Sequence, residues 1–368
     1  MSLATKLDPE FAAILSNFPP GGLFTDSPDV SVRRHVYEQM IVPAVQAGQG
    51  VLPPDTEYEI QDHFIPVEKG VEVRARCIVP VRLTGEDALP LLFWIHGGGW
   101  SFGDLNWDDY KLRRAAVYLR LVIVNCEYRL APEYPFPIPM NDCFAALKYV
   151  ATNTTVFSSS INLSKGFLIG GMSAGANIVA VITHLARNDD VLRGTPLTGQ
   201  ILVTPPVVHP DYVPARYNDS LRSMETNKNA PIFSRSEFDI FWGFYKAPST
   251  DPRACPLLFP SHMRLPPTYI QVCGLDILRD EGVLYEKVLK RSGVRTRLDM
   301  YPGVSHGFDV VAPHTTQGQK FAQDFFGGLE WLLEETRCSA RRPSTDSAQS
   351  QSEKPVGVKP LTLRSERR

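Results

Sequence analysis

The chain has 368 residues, 43% hydrophobic and 21% charged, with a formal net charge of −2. That is an ordinary globular composition with room for a large core, and its charge balance gives no reason to expect nucleic acid or an anionic membrane as partner. No stretch is long and apolar enough to span a bilayer. The opening Met1-Ser2-Leu3-Ala4-Thr5-Lys6 lacks the apolar centre of a signal peptide, so a cytoplasmic location is expected and the sequons at Asn153, Asn162 and Asn218 carry no weight. The cysteines Cys77, Cys126, Cys143, Cys255, Cys273 and Cys338 show no CxxC spacing and read as reduced thiols.

Residues 1–55 mix Pro and Gly with two short amphipathic patterns, around Phe11 to Phe18 and Val32 to Val45. The period then changes. Tyr58 to Phe64 and Val71 to Val79 alternate as strands, with Lys69-Gly70 as their turn. From Leu91 onward, apolar runs of strand length (91–95, 121–125, 166–170, 200–203, 268–272, 297–301) alternate with helical patterns (107–118, 141–151, 174–187, 281–292, 317–334). Wholly apolar strands between helices predict an α/β fold, with a mostly parallel central sheet and helices on both faces. Residues 205–266 break this rhythm and carry Phe233, Phe238, Phe241, Trp242, Phe244 and Tyr245. They predict a helical cap inserted over the carboxyl edge of the sheet, where open α/β sheets bind ligands. The organisation expected is an N-terminal cap segment (1–55), a catalytic domain (56–336) holding that insertion, and a tail (337–368). In the tail, eight basic and three acidic residues leave +5, against −7 for the rest, in a Ser-, Gln- and Pro-rich stretch that reads as a disordered, solvated extension.

Four separated stretches carry chemistry. Gly171-Met172-Ser173-Ala174-Gly175 sits between an apolar strand and a helix. Gly-x-Ser-x-Gly at such a turn lifts the serine hydroxyl above the sheet as a nucleophile, with the following helix directing its positive end at the reacting oxygen. His96-Gly97-Gly98-Gly99-Trp100 follows the strand at 91–95. Acyl transfer builds negative charge on a carbonyl oxygen, and each backbone N–H already placed there is worth about 3 kcal/mol. Gly97, Gly98 and Ala174 are the expected donors, and His96 the expected structural hydrogen-bonder. Asp276 and His306 follow the last two strands. His306 would take the proton from Ser173, and Asp276 would orient it. Asp280 and Glu281 are rivals for the acid, with Asp280 expected to cap the helix that follows. The remaining histidines have no comparable setting. No HxxxH or CxxC spacing offers a metal site, and this chemistry needs no cofactor.

The chain order Ser, Asp, His is that of α/β-hydrolases. With Tyr128-Arg129-Leu130-Ala131-Pro132-Glu133 and Phe136-Pro137 beside these stretches, the chain resembles the hormone-sensitive-lipase-like (GDXG) family of α/β-hydrolase esterases over roughly 60–335. The resemblance implies that 128–133 supports the oxyanion loop and that the N-terminal segment joins the insertion to form the cap. Residues 276–282 match the family's DPLRDEG segment with Ile277 in place of Pro, and Met172 stands where the family has Asp before the nucleophile. Met172 leaves the triad intact and alters hydrogen bonding at the elbow. The expected activity is a serine carboxylesterase acting on short to medium acyl esters or acetylated small metabolites, with Trp100, Phe102, Phe241 and Trp242 lining an apolar or aromatic substrate site. The partner is then a small-molecule ester, with a homodimer left open. Two alternatives stand beside it. One is an acyltransferase or lyase on the same fold, although the dehydratases among them replace the nucleophile, which Ser173 retains. The other is a non-catalytic ligand-binding homologue like the plant gibberellin receptors, which lack the histidine that His306 supplies.

Overall fold

A computed structural model describes residues 6–17, 27–48, 52–81, 83–84 and 88–340. In chain order the elements are α1 (Pro9–Leu15), α2 (Val30–Val36), a π-helical turn (Tyr37–Ile41), α3 (Val42–Gly48), β1 (Tyr58–Glu68), β2 (Val71–Pro80), β3 (Leu91–Ile95), α4 (Asn106–Leu119), β4 (Val122–Cys126), α5 (Ile138–Thr152), α6 (Thr154–Phe157), β5 (Phe167–Met172), α7 (Ala174–Ala186), β6 (Gly199–Val203), α8 (Ser223–Thr226), α9 (Arg235–Tyr245), β7 (Thr268–Cys273), α10 (Arg279–Arg291), β8 (Thr296–Tyr301), α11 (Phe308–Val311) and α12 (Thr316–Ala340).

One sheet organises them, in the order β1-β2-β4-β3-β5-β6-β7-β8. The first two strands pair antiparallel with each other and β2 pairs antiparallel with β4, while every pairing from β4 to β8 is parallel. Strands β3 to β7 are buried along their whole length, because helices cover both faces. Alternation along β7 makes the two faces explicit. A Cβ on Gly282 of α10 would meet Val272 and Ile270, whereas one on Gly328 of α12 would meet Tyr269. Removing strands this apolar from water supplies most of the drive for folding.

Several boundaries differ from the sequence reading. The first helix is Pro9–Leu15, started by Asp8, whose carboxylate accepts from the Glu10 and Phe11 amides; residue 18 lies outside the described residues. The pattern near Val32 to Val45 is an unbroken run from Val30 to Gly48 in which Tyr37–Ile41 widens to a π turn. Helix α12 continues to Ala340, so Arg337 to Ala340 belong to a helix rather than to the tail; the rest of that tail lies outside the described residues. Five cysteines are buried and free and Cys338 is exposed. No described helix is long and apolar enough to cross a membrane.

One buried carboxyl locks α10 beneath the segment after β6. Glu281 Oε2 accepts from the amides of Val207 at 2.6 Å and Val208 at 3.1 Å. Burial pushes its pKa up from 4.5 to about 8. Between those values the native state holds a proton that the unfolded state has released, so the contribution of Glu281 to stability is full below about pH 4.5 and is lost as pH rises through 8. Glu281→Gln keeps the acceptor and removes the titration. Thermal unfolding of the two proteins is expected to converge near pH 5 and to separate toward pH 8 in favour of the variant; parallel curves would refute this.

Candidate active site

The parallel strands β3, β5, β7 and β8 deliver four loops to one edge of the sheet, and the sequence-predicted residues sit on them. Ser173 leaves β5 with φ 53° and ψ −119°, a left-handed φ that side chains rarely adopt. Its amide donates to Val203 O at 2.8 Å and its carbonyl accepts from Asn177 N at 2.9 Å, which hold the turn. The turn also needs Gly175, since a Cβ there would lie 2.2 Å from Ile95 O. Ala174 is the first residue of α7, so its N–H has no acceptor within the helix.

His306 follows β8 and Asp276 follows β7. His306 Nε2 lies 2.9 Å from Ser173 Oγ and its Nδ1 lies 2.7 Å from Asp276 Oδ2. The other carboxylate oxygen of Asp276 accepts from the Leu278 amide at 2.9 Å, and the residue is 1% exposed. With the Nδ1 proton directed at Asp276, Nε2 is free to accept the hydroxyl proton of Ser173. The rivals are engaged elsewhere. Glu281 holds Val207 and Val208, as described. Asp280 is not a helix cap: α10 begins one residue earlier, and Asp280 Oδ2 accepts from the Arg222 and Ser223 amides of the insertion at 2.9 and 2.7 Å.

The Gly-rich loop after β3 is held from behind. His96 Nδ1 donates to Gly97 O at 2.7 Å, and the Tyr128 hydroxyl donates to the His96 and Gly97 carbonyls at 3.2 and 3.4 Å. The His96 and Tyr128 rings stack at 4.4 Å, and burial lowers the His96 pKa and keeps it neutral. Gly98 has φ 106°, and a Cβ there would lie 2.1 Å from Phe102 O. Its carbonyl accepts from the Ser101 and Phe102 amides. Fixing these carbonyls fixes the peptide planes whose N–H groups the sequence assigns to the oxyanion.

Two adjacent arginines of α2 tie the N-terminal segment to this loop and to α9 of the insertion. Arg34 Nε donates to Ser101 O at 2.9 Å, its Nη2 donates to Ala131 O at 3.1 Å, and both terminal nitrogens reach the Glu133 carboxylate at 2.7 Å. Arg33, wholly buried, faces the cap: it lies 3.7 Å from Glu237 of α9 and 4.9 Å over the Phe241 ring. A capping box of Ser234 and Glu237 starts that helix.

These parts surround a narrow cleft whose walls include Gly97, Gly98, Ser173, His306, Phe102 and Phe241. Trp100 and Trp242, expected in the same wall, are not among its lining residues. Trp100 stacks on Tyr245 at 4.3 Å and touches Trp242 at 4.8 Å, and both tryptophans are nearly inaccessible behind the loop. They buttress the site. Residues the motif reading did not assign supply the wall instead: Ile41 from the π turn, Trp107, Met172, Ile232, Val310 and Phe233, whose ring lies 4.6 Å from His306. Phe233 stood in the aromatic run of the insertion; Ile41 and Trp107 carry no local signal. Among the described residues, no group of three or more His, Cys, Asp or Glu is placed to hold a metal ion.

Residues 92–310 match the sequence profile of the α/β hydrolase fold family. An AB hydrolase superfamily protein of Schizosaccharomyces pombe is 34% identical over 89% of this chain and 94% of its own. The versiconal hemiacetal acetate esterase of Dothistroma septosporum is 32% identical over 71% of this chain and 79% of its own. Among solved structures, that of vibralactone cyclase superposes with a TM-score of 0.86 at 37% identity, covering 91% of this chain and 97% of that one.

The Arg33–Glu237 pair makes the link between N-terminal segment and cap measurable. Arg33→Ala removes the neighbouring cation from a buried carboxylate and the packing on Phe241, which is expected to cost about 3–5 kcal/mol. Urea unfolding monitored by tryptophan fluorescence reads this; a loss below about 1 kcal/mol would mean the pair does not hold the cap.

Proposed function

We propose that this chain, which belongs to the α/β hydrolase fold family, is a serine carboxylesterase working through an acyl-enzyme on Ser173. The observation that carries the reading is the continuous chain of hydrogen bonds from Ser173 Oγ to His306 to Asp276, opening into an apolar cleft. Ser173 Oγ attacks the ester carbonyl carbon while His306 Nε2 takes its proton. The carbonyl electron pair moves onto oxygen, where the N–H groups of Gly97, Gly98 and Ala174 receive the charge. As the tetrahedral centre collapses, His306 returns the proton to the departing alcohol. Water, deprotonated by the same imidazole, then releases the acid and restores Ser173. Asp276 keeps the imidazole in the working tautomer and stabilises its cation. The N-terminal segment (1–55) and the insertion (205–266) serve as the cap.

The substrate class is a small ester with an apolar or aromatic body, of short to medium acyl length or acetylated. The aromatic wall of Phe102, Trp107, Phe233 and Phe241 supports this, as does the relative whose name makes it an esterase of a hemiacetal acetate. A second reading, transfer of the acyl group to a hydroxyl in place of water, is favoured by the likeness to a cyclase whose name contains a lactone.

A fluorophosphonate probe with mass spectrometry is expected to place its adduct on Ser173, and p-nitrophenyl acetate to be turned over. Ser173→Ala should melt with the native protein and lose roughly 10⁴–10⁶-fold in kcat. Retained turnover in that variant, or a folded protein that takes no probe, would defeat the assignment.

A further inference from the structure

Trp107, the second residue of α4, is a wall shared by separate spaces. On one side it lines the Ser173 cleft. On the other it lines an open groove between α4 and α12, and Val310 is the other residue common to the two. The groove is far larger than the cleft and its floor is aromatic, with Phe321, Phe325 and Phe326. Its two cations do not make it an anion site. Lys111 is bonded to Asp108 at 2.6 Å and lies 5.3 Å over Phe325, while Arg114 lies 5.3 Å over Phe326 and donates to the Tyr110 hydroxyl at 3.1 Å. With both cations engaged, the lining is mostly apolar, with Asp309, His314, Gln319 and Gln323 as its other polar groups, and suits a hydrocarbon chain lying along the phenylalanines.

The wall itself is held by stacking. The Trp107 indole lies parallel to the Tyr37 ring at 5.2 Å and against Phe102 at 5.8 Å. Tyr37 is fixed in turn by its hydroxyl, which donates to Asp104 Oδ1 at 3.1 Å. The indole N–H is buried without a hydrogen-bond partner among the described residues, so ring contacts alone set its position.

We propose that Trp107 sets the chain length of the substrate: its indole closes the Ser173 cleft off from the α4–α12 groove, restricting turnover to esters whose linear apolar chain on that side of the carbonyl is short. The inference rests on the esterase reading and names its substrate class. A chain that passes the wall would gain about fourfold in kcat/KM for each methylene buried in the groove.

The test uses the full chain, Trp107→Ala, and Trp107→Ala with Ala322→Trp, which fills the groove from its exposed α12 wall. Each is assayed on p-nitrophenyl acetate, butanoate, octanoate and decanoate, and in parallel on ethyl to decyl acetates. Native protein is expected to favour the shortest members. Trp107→Ala should raise the octanoate-to-acetate ratio of kcat/KM, or its alkyl acetate counterpart, at least about tenfold, and Ala322→Trp should abolish the gain. A gain in the acyl series places the acyl chain toward the groove, and a gain in the alkyl series places the alcohol there; either supports the wall. A uniform change across lengths, or a gain that survives Ala322→Trp, overturns it. Trp107→Phe, which keeps a ring on Tyr37, should move the ratio the same way by less, so a misfolded alanine variant does not decide the matter. If native protein turns over no ester and takes no fluorophosphonate, the esterase reading has failed. The wall is then judged by decanol binding: decanol should raise the melting temperature of Trp107→Ala more than that of the double variant, and equal shifts overturn it.

Discussion

The close approach of two backbones, the end of β3 and the turn after β5, is the constraint on which the site depends. Gly175 touches the Ile95 carbonyl with no room for a methyl group, and Gly97 comes within contact of Met172 O. That approach forces Ser173 into its left-handed conformation and brings the amino end of α7 beside the Gly-rich loop. The hydroxyl and the first free amide of the helix then stand next to the loop that the sequence assigns to the oxyanion. The parallel sheet does the rest. Because β7 and β8 end on the same edge, Asp276 and His306 reach the serine from the loops that follow them, the second of which turns through left-handed glycines at Gly303 and Gly307.

Around this rigid centre the walls are made by parts of the chain with little regular structure of their own. Ser173, Asp276 and His306 come from strand ends, whereas the cleft is closed by the π turn, the first turn of α4, the insertion and α11. Arg33 and Arg34 connect the two regimes from neighbouring positions on one helix. Arg34 holds carbonyls of the loop and of the 128–133 segment, and Arg33 reaches the cap helix. The hydrogen-bonded Ser173–His306–Asp276 set and the walls of the cleft are therefore built from different elements joined by a few charged contacts. The shape of the pocket can vary without disturbing the strand-end geometry.

What was legible in the sequence follows from this division. Ser173, the glycines at 97 and 98, Asp276 and His306 could be read because each is announced by its neighbours: an apolar strand before it and a turn or helix after it. The strands themselves were legible within two residues at most ends, since burial on both faces writes an unbroken apolar run. Residues whose role depends on which elements meet were not legible. Trp100 and Trp242 satisfy an aromatic environment behind the loop as well as in front of it. Asp280 stands where a cap would stand, but its partners are Arg222 and Ser223, more than fifty residues earlier. Ile41 and Trp107 enter the cleft because α4 packs beneath the N-terminal helices, a contact that no local pattern encodes.

The docking of the amino-terminal segment also imposes an order in time. The Asp8 amide is held by Gly303 O, Phe11 packs on Phe308, Glu10 accepts from Thr316, and Arg33 faces Glu237. A ribosome makes this segment well before its partners. At roughly 5–20 residues per second, Phe11 waits on the order of fifteen seconds to a minute for Phe308, its apolar surface uncovered. Docking of this segment thus waits until residues 303–316 have been made, and until then a nascent chain is least protected in the segment that will pack on them.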